Sequence, residues 1–189
     1  RGLDVSPMPI RDAIKRLEQE DLVVVKPRSN CYVQLPTKLE TLDAIDARRM
    51  LEVFALDQVY HRITPDELMS LESLLSAMEE IAAHPGECAK PDRLREYIEL
   101  ARRFHTELCA LARNKYIDRF YRVTSMHLSM SFSYGIVVCH GVASTYAEHC
   151  EIVRHLQDNS EQAVTVLERH LLRSRRNIME EPTFQELPE

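Results

Sequence analysis

Along most of this chain apolar side chains recur every three or four positions, in blocks bounded by Pro, Gly, Asn and Thr, which is the periodicity of amphipathic helices. The first block carries Ile10, Ala13, Ile14 and Leu17 behind Ser6, with Pro7 and Pro9 in the opening turn. It predicts a helix with Ser6 as N-cap that runs to about Asp21. The period then changes. Leu22-Val23-Val24-Val25 and Cys31-Tyr32-Val33-Gln34-Leu35 are β-prone runs joined by Lys26-Pro27-Arg28-Ser29-Asn30, the pattern of a hairpin with a basic tip.

After a Pro36-Thr37 joint the helical period returns and holds. A long helix capped by Thr37 or Thr41 carries Leu42, Ile45, Leu51, Phe54, Ala55 and Val59. A second is opened by the capping box Thr64-Pro65-Asp66-Glu67, carries Leu68, Leu71, Leu75, Met78 and Ile81, and is stopped by His84-Pro85-Gly86. Helices over about Pro91 to Arg113 and about Lys115 to Ser133 follow, then a break between Gly135 and Gly141. The last two helices are expected from about Ser144 to Gln157 and from Ser160 to about Met179, the latter capped by Asn159 with Gln162 as box partner. The tail from Glu180, with two prolines and several acids, reads as loose.

Composition supports a helical globular protein: 189 residues, 44% hydrophobic and 29% charged, with four glycines and no Trp. No apolar run reaches the roughly 18 residues of a membrane span, so no membrane partner is expected. Cys31, Cys88, Cys109, Cys139 and Cys150 are odd in number and lack CxxC spacing, which fits reduced thiols in a cytoplasm better than a disulfide framework. The formal charge of -6 argues at first against a nucleic-acid partner. Residues 1–40, however, hold seven Lys/Arg against six Asp/Glu, a net +1, which leaves -7 on the rest. A small DNA reader on an acidic body is compatible with that division, because only the contact face must be positive.

A helix with a cap-rich start followed by a basic hairpin is the second half of a winged helix-turn-helix, or equally a connector inside some other fold. The residues separate the two. Asp4-Val5-Ser6-Pro7-Met8-Pro9-Ile10-Arg11-Asp12-Ala13-Ile14-Lys15-Arg16-Leu17-Glu18-Gln19-Glu20-Asp21-Leu22-Val23 resembles, without a gap, the GntR signature commonly written VSRTPVREALRRLEAEGLV. The resemblance implies that operator DNA is met by Ser6, Pro7, Met8, Arg11 and Arg16, and by Arg28, Ser29 and Asn30 at the wing tip. It also implies that the first two helices of the reader precede Arg1, where the chain opens without Met. Pro7 stands where the family usually carries a base-reading arginine, and Asn30 where the wing usually has glycine. Asn tolerates positive φ, so the turn survives.

The acidic helical remainder resembles the FCD ligand-sensing domain of the FadR branch. Arg48-Arg49-Met50-Leu51-Glu52 resembles its RxxLE pattern and Phe104-His105-Thr106-Glu107-Leu108 its FHxxL, while Glu148-His149 and Asn159 to Ala163 leading to His170 resemble its last two helices. The fold expected is therefore mostly α: a partial winged helix-turn-helix (1–36), an antiparallel bundle of about six helices (37–181), and a tail (182–189).

A physical argument points to the same histidines. His105 shares a stripe with Leu94, Ile98, Ala101 and Leu108; His149 with Val142, Val153 and Leu156; His170 with Ala163, Val166 and Leu167. Buried imidazoles must find partners, and one divalent metal, Zn or Ni, would satisfy all three. Each could instead be a hydrogen-bonded core residue, or the three could bind an effector directly. Many FCD domains add a carboxylate one turn before the first histidine; Ala101 stands there in this chain. His127, His140 and His155 read as solvated or loop residues, and Arg102 and Arg103 as outer-face residues. Arg48 reads as a clamp for a small carboxylate effector or as a surface partner of Glu52, with Arg122 as a second clamp.

These readings describe a cytoplasmic homodimeric transcription repressor whose operator affinity is set by a carboxylate metabolite. The alternatives are a metal-dependent enzyme, although no general base is visible and Glu148 should point away from His149, and a ligand-free helical adaptor.

Overall fold

A computed structural model describes residues 6–26, 30–84, 90–133 and 141–181, and the chain divides into two compact units, 1–36 and 37–189. The first unit contains α1 (Pro7–Gln19), β1 (Val23–Val25) and β2 (Cys31–Val33). Ser6 occupies the N-cap in extended conformation, but its hydroxyl caps nothing. The helix ends two residues short of expectation because Asp21 turns left-handed (φ 54). That reversal lets Leu22 donate its N–H to the Leu17 carbonyl and enter β1, which pairs antiparallel with β2 in the register Val23↔Val33, Val24↔Tyr32 and Val25↔Cys31. The hairpin closes through Lys26 N–H to the Asn30 carbonyl; its tip, with Arg28 and Ser29, lies outside the described residues.

The second unit has six helices among the described residues: α2 (Lys38–Asp57), α3 (Pro65–Ala82), α4 (Pro91–Ala110), α5 (Lys115–Ser133), α6 (Val142–Gln157) and α7 (Gln162–Glu180). Thr37, not Thr41, opens α2: its hydroxyl accepts from Glu40 N–H while Glu40 accepts from Thr37 N–H. Thr41 is instead buried and hydrogen-bonded to Ser131 at 2.8 Å, tying the start of α2 to the end of α5. The second capping box, Thr64 with Glu67, forms as the spacing predicts. Asn159 does not cap α7. It sits left-handed (φ 50) after α6, and Ser160 Oγ accepts from Gln162 N–H in its place. Gly141, at φ 103, starts α6 two residues earlier than predicted, in a conformation where a side chain would be strained.

The six helices close a ring in the spatial order α2, α5, α4, α3, α6, α7 and back to α2, and α2 also touches α4 across it. Side-chain ties set the directions. Glu80–Arg93 and Ser70–Glu107 make α3 and α4 antiparallel, Arg169–Glu151 and Arg173–Glu148 do so for α6 and α7, and Asp46–Arg175 and Arg49–Glu168 for α2 and α7. The main core fills the half bounded by α3, α4, α6 and α7, around Leu71, Met78, Phe104, Leu108, Ile152 and Leu167. Phe54, expected inside, is 56% exposed on the outer face of α2.

Candidate metal and effector site

The other half of the ring holds two smaller clusters, around Tyr121 and Ile117 and around Ile45, Leu128 and Ile178, and is only partly filled. A cavity of about 150 Å³ lies there, walled by Leu94 and Ile98 of α4, Leu128 and Phe132 of α5 and Val142 of α6, with Arg48 and three histidines at one end. Leu94, Ile98 and Ala101, taken from their spacing as a core stripe, line this cavity. His105 on α4, His149 on α6 and His170 on α7 are buried, and one ring nitrogen from each lies within 4.8 Å of the other two. Their ring centroids are 4.8 to 5.2 Å apart.

Carboxylates behind the rings orient two of them. Glu52 Oε2 accepts from His105 Nδ1 at 2.7 Å, and Glu148 Oε2 accepts from His170 Nδ1 at 2.7 Å. With Nδ1 of each engaged as a donor, the Nε2 lone pairs of His105 and His170 are left facing inward. His105 Nε2 and His149 Nε2 stand 3.1 Å apart. Phe104 stacks on His149, centroids 4.6 Å apart, and His149 Nδ1 is buried without a partner in the described structure.

Arg48 Nε donates to Glu52 Oε1 at 2.5 Å, and both side chains are buried. The ion pair weighed from sequence therefore exists, but inside the protein, and it shares Glu52 with His105. Burial alone would lower the Arg48 pKa, yet neighbouring Glu52 raises it overall. Burial lifts the Glu52 carboxyl above its ordinary range, against the pull of Arg48. Burial, with Arg48 nearby, holds His105 far below the usual imidazole range. His149 is pushed well down by burial and by His170, and His170 is lowered by burial despite Glu148. All three rings are therefore neutral near pH 7, the form that ligates metals. Burial acts to raise Glu148, but His170 and Arg173 outweigh it and keep the group below its ordinary range.

Arg48 lines the cavity, and its Nη2 is buried without a partner among the described residues. Arg122 does not line it: one position past buried Tyr121, it turns about 100° around α5 and stands exposed, away from the cavity. Arg102, expected outside, is half-buried at the cavity edge and held by Glu99 at 2.5 and 2.7 Å; Arg103 is exposed as expected. His127 and His155 are partly exposed, and His140 lies outside the described residues. Sequence reasoning did not find Glu52 and Glu148 as partners of the histidines, nor Tyr121, which lines the cavity and hydrogen-bonds Glu52. The signal available was the four-residue spacing of Glu52 from Arg48, which looks the same on a surface and in a core. Glu148 does point away from His149, but into His170.

In the first unit, Ser6, Pro7, Met8, Arg11, Arg16 and Asn30 are all exposed. No described residue of α1 is fully buried, so the helix presents its first turn and Arg11 to solvent.

A DNA-reading winged helix joined to a helical ligand-sensing unit is the class this architecture defines. The chain belongs to the GntR family of bacterial regulators and is of its FCD type: the FCD domain model matches residues 43–173, and the model described as bacterial regulatory proteins, gntR family, matches residues 2–33. Solved structures share the fold. A GntR transcriptional regulator from Rhodococcus sp. RHA1 is 21% identical with a TM-score of 0.74, over 93% of this chain and 81% of that one. McbR/YncC of E. coli is 17% identical with a TM-score of 0.76, over 95% and 88%. Lar, which controls expression of the Listeria monocytogenes agr system, is 18% identical with a TM-score of 0.68, over 93% and 80%. Among curated proteins no significant match is found. The chain is a DNA-binding transcription regulator with a ligand-sensing domain. No described helix is long and apolar enough to cross a membrane.

Proposed function

We propose that this regulator is a homodimeric repressor whose second unit holds a divalent metal, zinc or nickel, on His105, His149 and His170. A small carboxylate effector then binds against the metal and Arg48 and lowers operator affinity. The observation that carries the reading is the convergence of three neutral, buried imidazoles, two with their outer nitrogens fixed by carboxylates, on one cavity that Arg48 also lines.

The donor types suit zinc or nickel, and a small inward movement of the rings, whose ligand atoms lie within 4.8 Å of one another, would close them on one ion. At a metal–nitrogen distance of about 2.0–2.1 Å, tetrahedral ligands stand about 3.3 Å apart, near the 3.1 Å between the Nε2 atoms of His105 and His149. Carboxylates hydrogen-bonded to the far nitrogen of a ligating histidine are the usual second layer of such sites. Ala101 offers no ligand, so positions would be left for water or the effector. A bound metal would supply positive charge for the effector carboxylate, and Arg48 a second cation beside it.

No Asp or Glu is among the described residues lining the cavity, which weighs against hydrolytic chemistry, and the cavity itself weighs against a ligand-free adaptor. Self-association is supported by exposed Met50 and Phe54 on α2 and Tyr116 and Phe120 on α5, neighbouring helices whose outer faces would otherwise show these large apolar side chains to water.

The test is metal content of the purified full chain before and after chelation, with His149→Ala and His170→Ala alongside. About one metal per chain is expected in the parent and little in either variant, with affinity for in vitro selected operator DNA unchanged. Equal metal content in parent and variants removes the site.

A further inference from the structure

The distribution of hydrogen-bond donors around the cavity restricts what can enter it. Several wall residues are polar by type: Ser125, Ser129, Thr145 and Ser174 among them. The three serines have each already given their proton. Ser125 Oγ donates to the Arg122 carbonyl, Ser129 Oγ to that of Ser125 and Ser174 Oγ to that of His170, each within its own helix. Thr145 Oγ1 is taken by Arg173 Nη2 at 3.0 Å. Arg102 is held by Glu99, and Tyr97 donates its hydroxyl to the Val142 carbonyl. The groups that attract an anion most strongly, directly or through a bound metal, are gathered at one end, where Arg48 lies beside the inward nitrogens of the three histidines. Asn177, itself exposed, lies at the solvent side.

Between those ends the wall is Leu94, Ile98, Leu128, Phe132 and Val142. A cavity of this volume lined by Leu, Ile and Phe accommodates a body about the size of benzene. A ligand with further carboxylates along its length would bury charge against these apolar side chains, a desolvation that the described residues of this stretch do not offset.

Resting on the carboxylate site proposed above, we infer that the effector is an amphipathic monocarboxylate: one carboxylate at the Arg48–histidine end and a compact apolar remainder, aryl or branched aliphatic, between α4, α5 and α6. The same wall disfavours dicarboxylates, tricarboxylates and sugar acids, whose further polar groups would face Leu94, Ile98, Leu128, Phe132 and Val142.

The experiment uses the full chain with zinc added, calorimetry and thermal unfolding as readouts, and four probes: phenylacetate, 4-methylpentanoate, citrate and gluconate. The first two are expected to bind at least tenfold more tightly than the last two and to raise Tm, and phenylacetamide, which lacks the charge, to bind at least tenfold more weakly than phenylacetate. Ala101→Leu, which fills the cavity from α4, is expected to abolish phenylacetate binding while the helical circular dichroism signal is retained. Leu128→Asn gives a second route to the wall and should weaken phenylacetate without improving metal content. Tighter binding of citrate or gluconate would overturn the amphipathic assignment and leave the carboxylate site standing. Absence of binding by all four, with zinc bound, would overturn both. Phenylacetate affinity unchanged in folded Ala101→Leu would place the ligand elsewhere and overturn the inference.

Discussion

Glu52 shows how much depends on a single buried carboxylate. It accepts from Arg48 and His105 at once, so it neutralises a buried guanidinium and also fixes which imidazole nitrogen faces the cavity. Glu148 performs the second task alone for His170, from a half-buried position that also receives Arg173. Glu148→Gln is therefore the gentler probe: it preserves shape, and the cation that loses its carboxylate, Arg173, is partly exposed and keeps Ser144 and Thr145 as partners. Zinc affinity is expected to fall by about 10–100-fold with Tm little changed, measured by competition against a chromogenic chelator; an unchanged affinity would mean that His170 is not a ligand. At this scale the sequence was half legible. The three histidines declared themselves because each sits on an apolar stripe of a different helix. Arg122 did not resolve, because one residue along a helix separates the Tyr121 side, facing inward, from solvent.

Helix starts were read well where the cap is a reciprocal side-chain pair and poorly where the turn depends on backbone shape. Thr64 and Glu67 were visible as a spacing, and both hydrogen bonds of the box are present. Asn159 had the right type for a cap, but the chain uses its tolerance of positive φ to leave α6, and the cap position passes to Glu161. Thr64→Ala is expected to cost about 1 kcal/mol in urea unfolding. The Thr64 backbone N–H, its hydroxyl and Arg113 hold the Glu67 carboxyl below its ordinary range. Its folded pKa is thus lower than its unfolded one, so its contribution is complete above the unfolded value of about 4.3 and is lost as pH falls through the folded value. The stability gap between the parent and Glu67→Gln should accordingly be largest near neutrality and close in acid; a gap independent of pH would mean the carboxylate charge has no part in the cap.

For the whole molecule, the division into a reader and a helical sensor was legible because the hydrophobic period changes at Pro36, while the closing of the helices into a ring was not, since periodicity gives faces and not neighbours. Arg11→Ala in the full protein is expected to weaken operator binding by roughly tenfold or more and to lower the slope of log affinity against log salt by about one if the contact is to phosphate. Retained affinity would show that the exposed face of α1 is not the reading surface. The outer apolar side chains of α2 and α5 make a second prediction at this scale: Phe54→Glu combined with Phe120→Glu should shift the protein to monomer in sedimentation velocity with its helical content intact, whereas an unchanged mass would place association on another face.

The ring has one further consequence. Because its first and last helices lie side by side and antiparallel, α7 ends where α2 begins: Lys38 Nζ donates to the Glu181 carbonyl, one residue after the Thr37 that follows the reader. The helix that carries His170, Ser174 and Asn177 along the cavity thus ends beside the residue that opens α2. If the effector proposed above displaces α7, the start of α2, next to the Pro36–Thr37 joint, is the first place outside the cavity to register it.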